Sequence, residues 1–284
     1  MRDFITITCP AKINLSLDVL KKRPDGYHEL EMIMQTVNVC DYVSVRLTYE
    51  DIIKVKCDKE NIPEGEKNIC YKACKVFFES LKKLGGAEIY IKKNIPEGAG
   101  MAGGSTDAAG VLKALNILTG HPFSDIELEK MAKELGADVP FFIKGGCQLC
   151  RGIGEIMTPV KEMKDVYLVI AKPKILVSTP WVYKNLKLDE NISHPETKKL
   201  LMMLENEEYD EFEKYSGNLL ESVTIGEYPE IEKYKGVFKQ KGAFFAMMTG
   251  SGSAVYGIFK NEKDARKAFE SFKDITEDVF MVRM

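Results

Sequence analysis

What the sequence lacks narrows it first. No apolar run approaches the ~18 residues that a membrane-crossing helix needs, so no span is expected. Neither charge dominates: 40 Lys and Arg stand against 43 Asp and Glu, a formal net charge of −3. Without a global basic field the chain is poorly suited to nucleic acid or an anionic membrane, and any phosphate site must be assembled locally. The opening MRDFITITCPAKINL has no basic leader before an apolar stretch, so a signal peptide is not expected and the compartment reads as the cytoplasm. Cys147 and Cys150 form a CxxC, but the second CxxC or His pair of a tetrahedral zinc site is missing. The seven cysteines, an odd number, are therefore expected to be reduced and mostly buried thiols. There is no internal repeat and no low-complexity linker.

What is present is a chain of 284 residues, 45% hydrophobic and 29% charged, enough for one large or two ordinary globular domains. Ile5, Ile7 and Cys9, then Ile13, Leu15, Leu17 and Val19, fall on every second position, which predicts half-buried strands closed by the turn Arg23-Pro24-Asp25-Gly26. Strands are expected around 29–39, 42–49 and 52–57, then an amphipathic helix over 68–84 stopped by Gly85-Gly86 and a strand over 87–93. A glycine-rich stretch, 96–106, leads into a helix capped by Ser105-Thr106-Asp107 and stopped at Gly120; a capping box of Ser124 and Glu127 starts another that ends at Gly136. Beyond residue 160 the texture becomes a strand at 166–171, helices through 180–240, a hairpin, a helix at 262–273 and a last strand at 278–283. The pattern predicts two α+β domains, 1–160 and 161–284.

The strongest local signal is Pro96-Glu97-Gly98-Ala99-Gly100-Met101-Ala102-Gly103-Gly104-Ser105-Thr106-Asp107. Small residues let backbone N–H groups crowd around an anion, and the following helix aims its positive end at the same place. The Ser105 and Thr106 hydroxyls could bind a phosphate oxygen or a phosphate-bound Mg²⁺; the stretch could equally be a flexible loop ending in an ordinary helix cap. No Lys follows the glycines, which excludes a Walker A loop, and neither a dinucleotide fingerprint nor a protein-kinase catalytic loop is present. A second small-residue segment, Met248-Thr249-Gly250-Ser251-Gly252-Ser253, reads as a hairpin turn or a ligand-lining loop. Lys12 and Asn14 share one face of a strand, where a lysine is ordinarily a solvated charge, and Asp138 reads by itself as a turn residue after a helix.

Taken together, PAKINLSLDVLKKRPDGYHEL, IPEGAGMAGGSTDAAG, LGADVPFF and MTGSGSAVYG resemble, in order and spacing, the motifs of the GHMP kinase superfamily. The RPDGYHEL extension resembles more narrowly those members whose substrate is a cytidine-diphosphate derivative of methylerythritol. The resemblance implies a two-domain α+β fold, with a ribosomal-protein-like N-terminal domain and a ferredoxin-like C-terminal domain. It implies ATP and Mg²⁺ as cofactors and phosphoryl transfer to a substrate hydroxyl, while the slightly acidic charge argues against an RNA-binding protein of the same N-terminal fold and against a nucleic-acid or membrane partner. It implies that Pro96 to Thr106 wraps the nucleotide phosphates, with Lys93 and Asn68 near the nucleotide. The same resemblance makes Asp138 the general base and Lys12 its partner. It places Asn14, Tyr27, His28, Thr179 and Tyr183 at the substrate, with Tyr27 and Tyr183 sandwiching the cytosine and His28 reading its edge; Trp181 falls in the same segment. One departure is Ala102, where the family has glycine; a methyl group there is tolerable if φ stays below zero. Kinases of mevalonate, phosphomevalonate or homoserine, and a catalytically silent ligand sensor, are the alternatives. The aromatic–imidazole pair of RPDGYHEL argues against the former, and retention of Lys12 and Asp138 against the latter.

Overall fold

The computed structural model describes residues 3–48, 50–189 and 192–284. The chain divides into two compact units that interleave along the sequence. One holds the residues through Ala11, then Val39–Ile95 and Ala102–Gly145; the other holds Lys12–Asn38, Pro96–Met101 and Gly146–Met284. Two long strands, β1 (Phe4–Lys22) and β2 (His28–Thr48), supply residues to both.

In the first unit, β3 (Ile53–Cys57), α1 (Ile69–Leu81) and β4 (Gly86–Lys92) are followed by α2 (Gly103–Leu118), α3 (Asp125–Leu135) and α4 (Val139–Lys144). β4 runs antiparallel to the C-terminal half of β2 and parallel to β3. Val43, Val45, Val55, Ile89 and Ile91 alternate onto a buried face, as a period of two requires. α1 packs on α2 and α3, and α2 also on α4. The Asn68 side chain caps α1 by accepting from Cys70 N, and the expected capping box of Ser124 and Glu127 starts α3. At Gly110 a Cβ would collide with Cys9 Sγ, so only glycine lets α2 approach the strands this closely.

In the second unit, β5 (Cys147–Gly152) pairs antiparallel with the N-terminal half of β2, and β6 (Ile156–Pro159) pairs with β5. β7 (Tyr167–Ala171) opens a second sheet, followed by the short helices α5 (Thr179–Asn185), α6 (Thr197–Asn206), α7 (Phe212–Tyr215) and α8 (Glu221–Glu227). Then come α9 (Glu230–Gln240), β8 (Phe245–Met248), β9 (Val255–Phe259), α10 (Glu262–Lys273) and β10 (Val279–Arg283). This sheet is antiparallel with strand order β10-β7-β9-β8, and α9 and α10 pack against it through Phe238 and Phe272. Strand–helix–strand–strand–helix–strand in this order is the ferredoxin-like arrangement, as expected. No helix among the described residues is long and apolar enough to cross a membrane. None of the seven cysteines is in a disulfide, and all but Cys57 are buried.

Several local expectations need correction. The strands expected at 29–39 and 42–49 are one continuous β2, with residue 49 outside the described residues. β1 is one continuous strand that alternates in exposure only over its first residues; Ala11 to Val19 are covered on both faces, so Lys12, Asn14, Ser16 and Asp18 are buried polar groups. α1 ends at Leu81 on Lys82, which takes a left-handed φ of 53°; Gly86 belongs to β4. Asp138 precedes α4, a helix that the pattern LGADVPFF hid behind its proline; Pro is well tolerated in a first helical turn. α2 starts two residues before Ser105, so Ser105, Thr106 and Asp107 lie within its first turns and make no cap.

The residue before α2 is Ala102, and its φ is +59°, not negative. An L-residue with a Cβ is strained there by ~1–2 kcal/mol, of which glycine's larger unfolded-state entropy cancels part. Ala102→Gly is therefore expected to stabilise the protein by about 0.5–1 kcal/mol, read as a raised Tm and urea midpoint; a lowered midpoint would contradict the left-handed geometry.

Candidate active site

The first unit builds the start of α2 over a buried ion cluster. Lys93, one residue past β4, donates to Asp41 on β2 and to Asp107 on α2, the latter at 2.7 Å. Asp41 Oδ1 in turn accepts from the backbone N of Asn94 (2.6 Å) and Ile95 (2.8 Å), which fixes the chain just before the glycine-rich loop. Burial opposes the charge on Lys93, but Asp107 and Asp41 outweigh it and hold the ammonium above its ordinary range. Burial pushes Asp107 up to about 7 against the pull of Lys93, with Asp41 adding to the rise. A Cβ on Gly103 would sit 3.1 Å from Lys93 Nζ, whereas one on Gly104 would meet only Ile69 Cγ2 at 3.8 Å. Gly103 is thus constrained from beneath, and Gly104, which is exposed, leaves room in front of the helix N-terminus. Asn68 spends its side chain on Cys70 N and the Pro63 carbonyl, next to Ile69.

The second unit holds the loop Pro96–Met101 against the loop after β8. Ser253 N donates to Gly98 O (3.1 Å), Ala254 N to Ala99 O (3.2 Å), and Thr249 Oγ1 to Gly100 O (3.3 Å). Gly100 has φ +70°, and a Cβ there would run into the Thr249 carbonyl, so this approach requires glycine. Lys12 N donates to Met101 O at 3.2 Å, tying β1 to the same loop. Lys12 is only 4% exposed, against the expectation of a solvated strand lysine, and its Nζ donates to Asn14 Oδ1 at 2.6 Å. Asn14 Oδ1 also accepts from Gly250 N (3.0 Å) and Thr249 Oγ1 (3.4 Å), while Asn14 Nδ2 donates to Met32 Sδ (3.5 Å). The MTGSGS segment is therefore far more than a hairpin turn: it braces both the glycine-rich loop and the Lys12–Asn14 pair.

Other expected residues fall as follows. Tyr183 on α5 stacks on His28, with ring centroids 5.2 Å apart. Tyr27 is 60% exposed and free to stack elsewhere. Burial, then the charge of Lys22, lowers the His28 pKa, which keeps the imidazole neutral at pH 7 with one donor and one acceptor. Thr179 Oγ1 shares a 2.6 Å hydrogen bond with Ser251 Oγ in the MTGSGS segment. Asp138 is half-buried at the start of α4 and makes no capping hydrogen bond. Asp41 and Asn218 did not stand out in the sequence, and Asp107 read there only as a helix-capping residue; a lone Asp in a strand and an Asn before a helix carry no signal until folding buries them.

Residues 68–146 match the family model for the GHMP kinases N-terminal domain, and residues 196–276 that for the GHMP kinases C-terminal domain. A 4-diphosphocytidyl-2-C-methyl-D-erythritol kinase of Acetivibrio thermocellus is 45% identical over 279 residues, 98% of each chain. A protein of the same name from Clostridium botulinum strain Hall is 42% identical over 273 residues, 96% of this chain and 97% of the relative. The solved structure of a 4-(cytidine 5'-diphospho)-2C-methyl-D-erythritol kinase superposes with a TM-score of 0.82 at 31% identity, covering 98% of both chains. A homoserine kinase from Cytophaga hutchinsonii shares the fold, with a TM-score of 0.80, at 20% identity over 100% of this chain and 96% of the other. A helix N-terminus behind a glycine-rich loop, in a fold of this kind, defines the class: an ATP-dependent small-molecule kinase. The chain belongs to the GHMP kinase family, in the branch of the 4-diphosphocytidyl-2-C-methyl-D-erythritol kinases.

Removing Lys93 would leave the buried Asp41 carboxylate without its counter-charge, beside an Asp107 that burial already pushes up to about 7. Lys93→Met is expected to cost ~3–5 kcal/mol of stability, as for other broken buried ion pairs, measured by urea unfolding at pH 7. A loss under ~1 kcal/mol would show that the cluster is solvated.

Proposed function

We propose that the chain transfers the γ-phosphoryl group of ATP to the 2-hydroxyl of 4-diphosphocytidyl-2-C-methyl-D-erythritol, a step of the non-mevalonate route to isoprenoids. The observation that carries this reading is the near-full-length identity, 45% over 98% of each chain, to a kinase named for that substrate. The homoserine kinase likeness, at 20% identity, speaks for the fold alone. In this reading Pro96 to Thr106 receives the nucleotide phosphates, with Glu97, Gly98, Ala99, Gly100 and Met101 on the loop and Ala102 to Thr106 leading into α2. Lys93 supports that site through its carboxylates, and Asn68 through the start of α1. Asp138 accepts the hydroxyl proton, and Lys12 supplies the positive charge that keeps such a base ionised and offsets charge on the moving phosphoryl group. Family boundaries at 160 and 161 are part of the proposal; the two family models fall on either side of that point.

Mg²⁺ is proposed to travel on the ATP phosphates, where it neutralises charge. Among the described residues no group of three or more His, Cys, Asp or Glu forms a cage, which fits a cation carried by the nucleotide. The Ser105 hydroxyl, half-exposed on the first turn of α2, is an oxygen donor for either the phosphates or their metal. The proposed compartment is the cytoplasm, where ATP is supplied.

Asn14 and Thr179 are proposed to meet the sugar-alcohol part of the substrate, and Tyr27, His28 and Tyr183 the cytosine. A neutral His28 backed by Tyr183 offers the donor and acceptor that a base edge needs, and the exposed Tyr27 ring offers a stacking face. ADP release with the cytidine substrate, mevalonate and homoserine compared side by side tests the substrate, and only the first is expected to turn over. Asp138→Asn is expected to lower kcat by at least ~100-fold with both affinities retained; near-normal turnover would sink the base assignment.

Tyr27→Ala is expected to raise KM for the cytidine substrate about tenfold, the equivalent of a lost stacking ring at ~1–3 kcal/mol, with ATP binding unchanged. His28→Ala should in addition relax the preference for cytidine over uridine analogues. Because the His28 pKa is lowered from 6.5, KM of the wild type should stay flat from pH 8 to 6.5 and rise only below that, as the imidazole gains its proton. Wild-type constants in both variants would move the cytidine pocket elsewhere.

A further inference from the structure

Asn218 lies between α7 and α8, 5% exposed, and its side-chain amide is fully spent. Nδ2 donates to two carbonyls of the loop after β8, Met248 O and Gly250 O, each at 2.8 Å, and Oδ1 accepts from Leu220 N at 3.0 Å. Two carbonyls and one backbone N–H leave no choice in how the amide is oriented. The residue whose carbonyl Asn218 holds, Gly250, uses its own N–H on Asn14 Oδ1, 3.0 Å away. The same oxygen takes the Lys12 ammonium at 2.6 Å. The peptide groups of Gly250 are thus gripped at both ends, by Asn218 on one side and Asn14 on the other. Gly250 also sits against the lysine: a Cβ built on it would lie 3.3 Å from Lys12 Nζ.

Lys12 is a long, flexible side chain with three donors and no shape of its own, so its direction comes from what accepts it. One acceptor, at 2.6 Å, is the Asn14 amide oxygen, which could rotate about two side-chain torsions if nothing held it. What holds it is chiefly the Gly250 N–H at 3.0 Å, with the Thr249 hydroxyl at 3.4 Å beside it, and Asn218 in turn holds the Gly250 carbonyl. We infer that Asn218 is a positioning residue for the reaction, acting through Gly250 and Asn14 to aim the Lys12 ammonium. The inference rests on the proposed role of Lys12. It concerns a residue that touches neither nucleotide nor substrate in that reading. Thr224 gives the contrast: it binds the same loop one residue further on, through Ser251 O at 3.2 Å, but is not part of the line to Lys12.

The test is a double-mutant cycle. Asn218→Asp keeps the size and the acceptor for Leu220 N but turns both donors into a carboxylate oxygen facing two carbonyls; Asn218→Ala serves as the second variant should that one not fold. In the wild-type background either is expected to lower kcat by about 10-fold or more. In a Lys12→Met background the same change should cost no more than about twofold, because residues acting as a unit are not additive. Thr224→Val, measured in parallel with melting temperatures, should lower activity by the same factor in both backgrounds. Equal losses for Asn218 in both backgrounds would overturn the positioning role and leave that of Lys12 standing. A Lys12→Met enzyme with near-wild-type turnover would overturn the role of Lys12, and with it that of Asn218.

Discussion

Two glycine-rich loops place their backbone N–H and C=O groups outside any helix or strand, and each buried one must still find a partner. That constraint organises the molecule. In the second unit the loops satisfy each other, through Ser253 with Gly98, Ala254 with Ala99 and Thr249 with Gly100. What they cannot supply comes from Asn14, Asn218 and Thr224, whose short polar side chains reach a carbonyl or an N–H without filling the space a ligand needs. In the first unit Asp41 does the same for Asn94 and Ile95, and thereby needs the counter-charge of Lys93.

The buried charges follow from this and not from any demand of the core. An apolar trio at Asp41, Lys93 and Asp107 would be easier to bury, but it could not accept from two backbone N–H groups or join the end of β4 to the first turns of α2. Holding that turn in place fixes the first turn of α2, whose N–H groups at Gly103, Gly104 and Ser105 have no carbonyl four residues earlier within the helix. Ala102 carries a strained left-handed φ in the same place, the kind of local cost that is tolerated where the backbone must turn sharply into a binding helix.

The polar face of β1 shows how the two halves of the chemistry share one element. Even-numbered positions from Lys12 to Asp18 are buried and polar, odd-numbered ones from Ile13 to Val19 buried and apolar. A strand covered on both faces can carry a core on one side and a line of functional groups on the other. Lys12 and Asn14 meet along that line, with Lys12 Nζ donating to Asn14 Oδ1. Asp18 uses it for a 2.7 Å contact with His194, which offsets part of the rise that burial imposes on its carboxyl.

Much of this protein was determined by sequence alone. The period-two run of β4, the capping box of Ser124 and Glu127, and the small-residue segments before α2 and after β8 depend on neighbours a few residues away, so they can be read along the chain. The family motifs marked Lys12, Asn14, Asp138 and the Tyr27–His28 pair. What only the tertiary structure decided is where distant groups meet. Burial of Lys12, the pairing of His28 with Tyr183, the cluster of Lys93 with Asp41 and Asp107, and the hold of Asn218 on Gly250 join residues far apart in sequence. Whether an Asp or Asn is a turn residue or a brace depends on desolvation, and desolvation is a property of the folded chain.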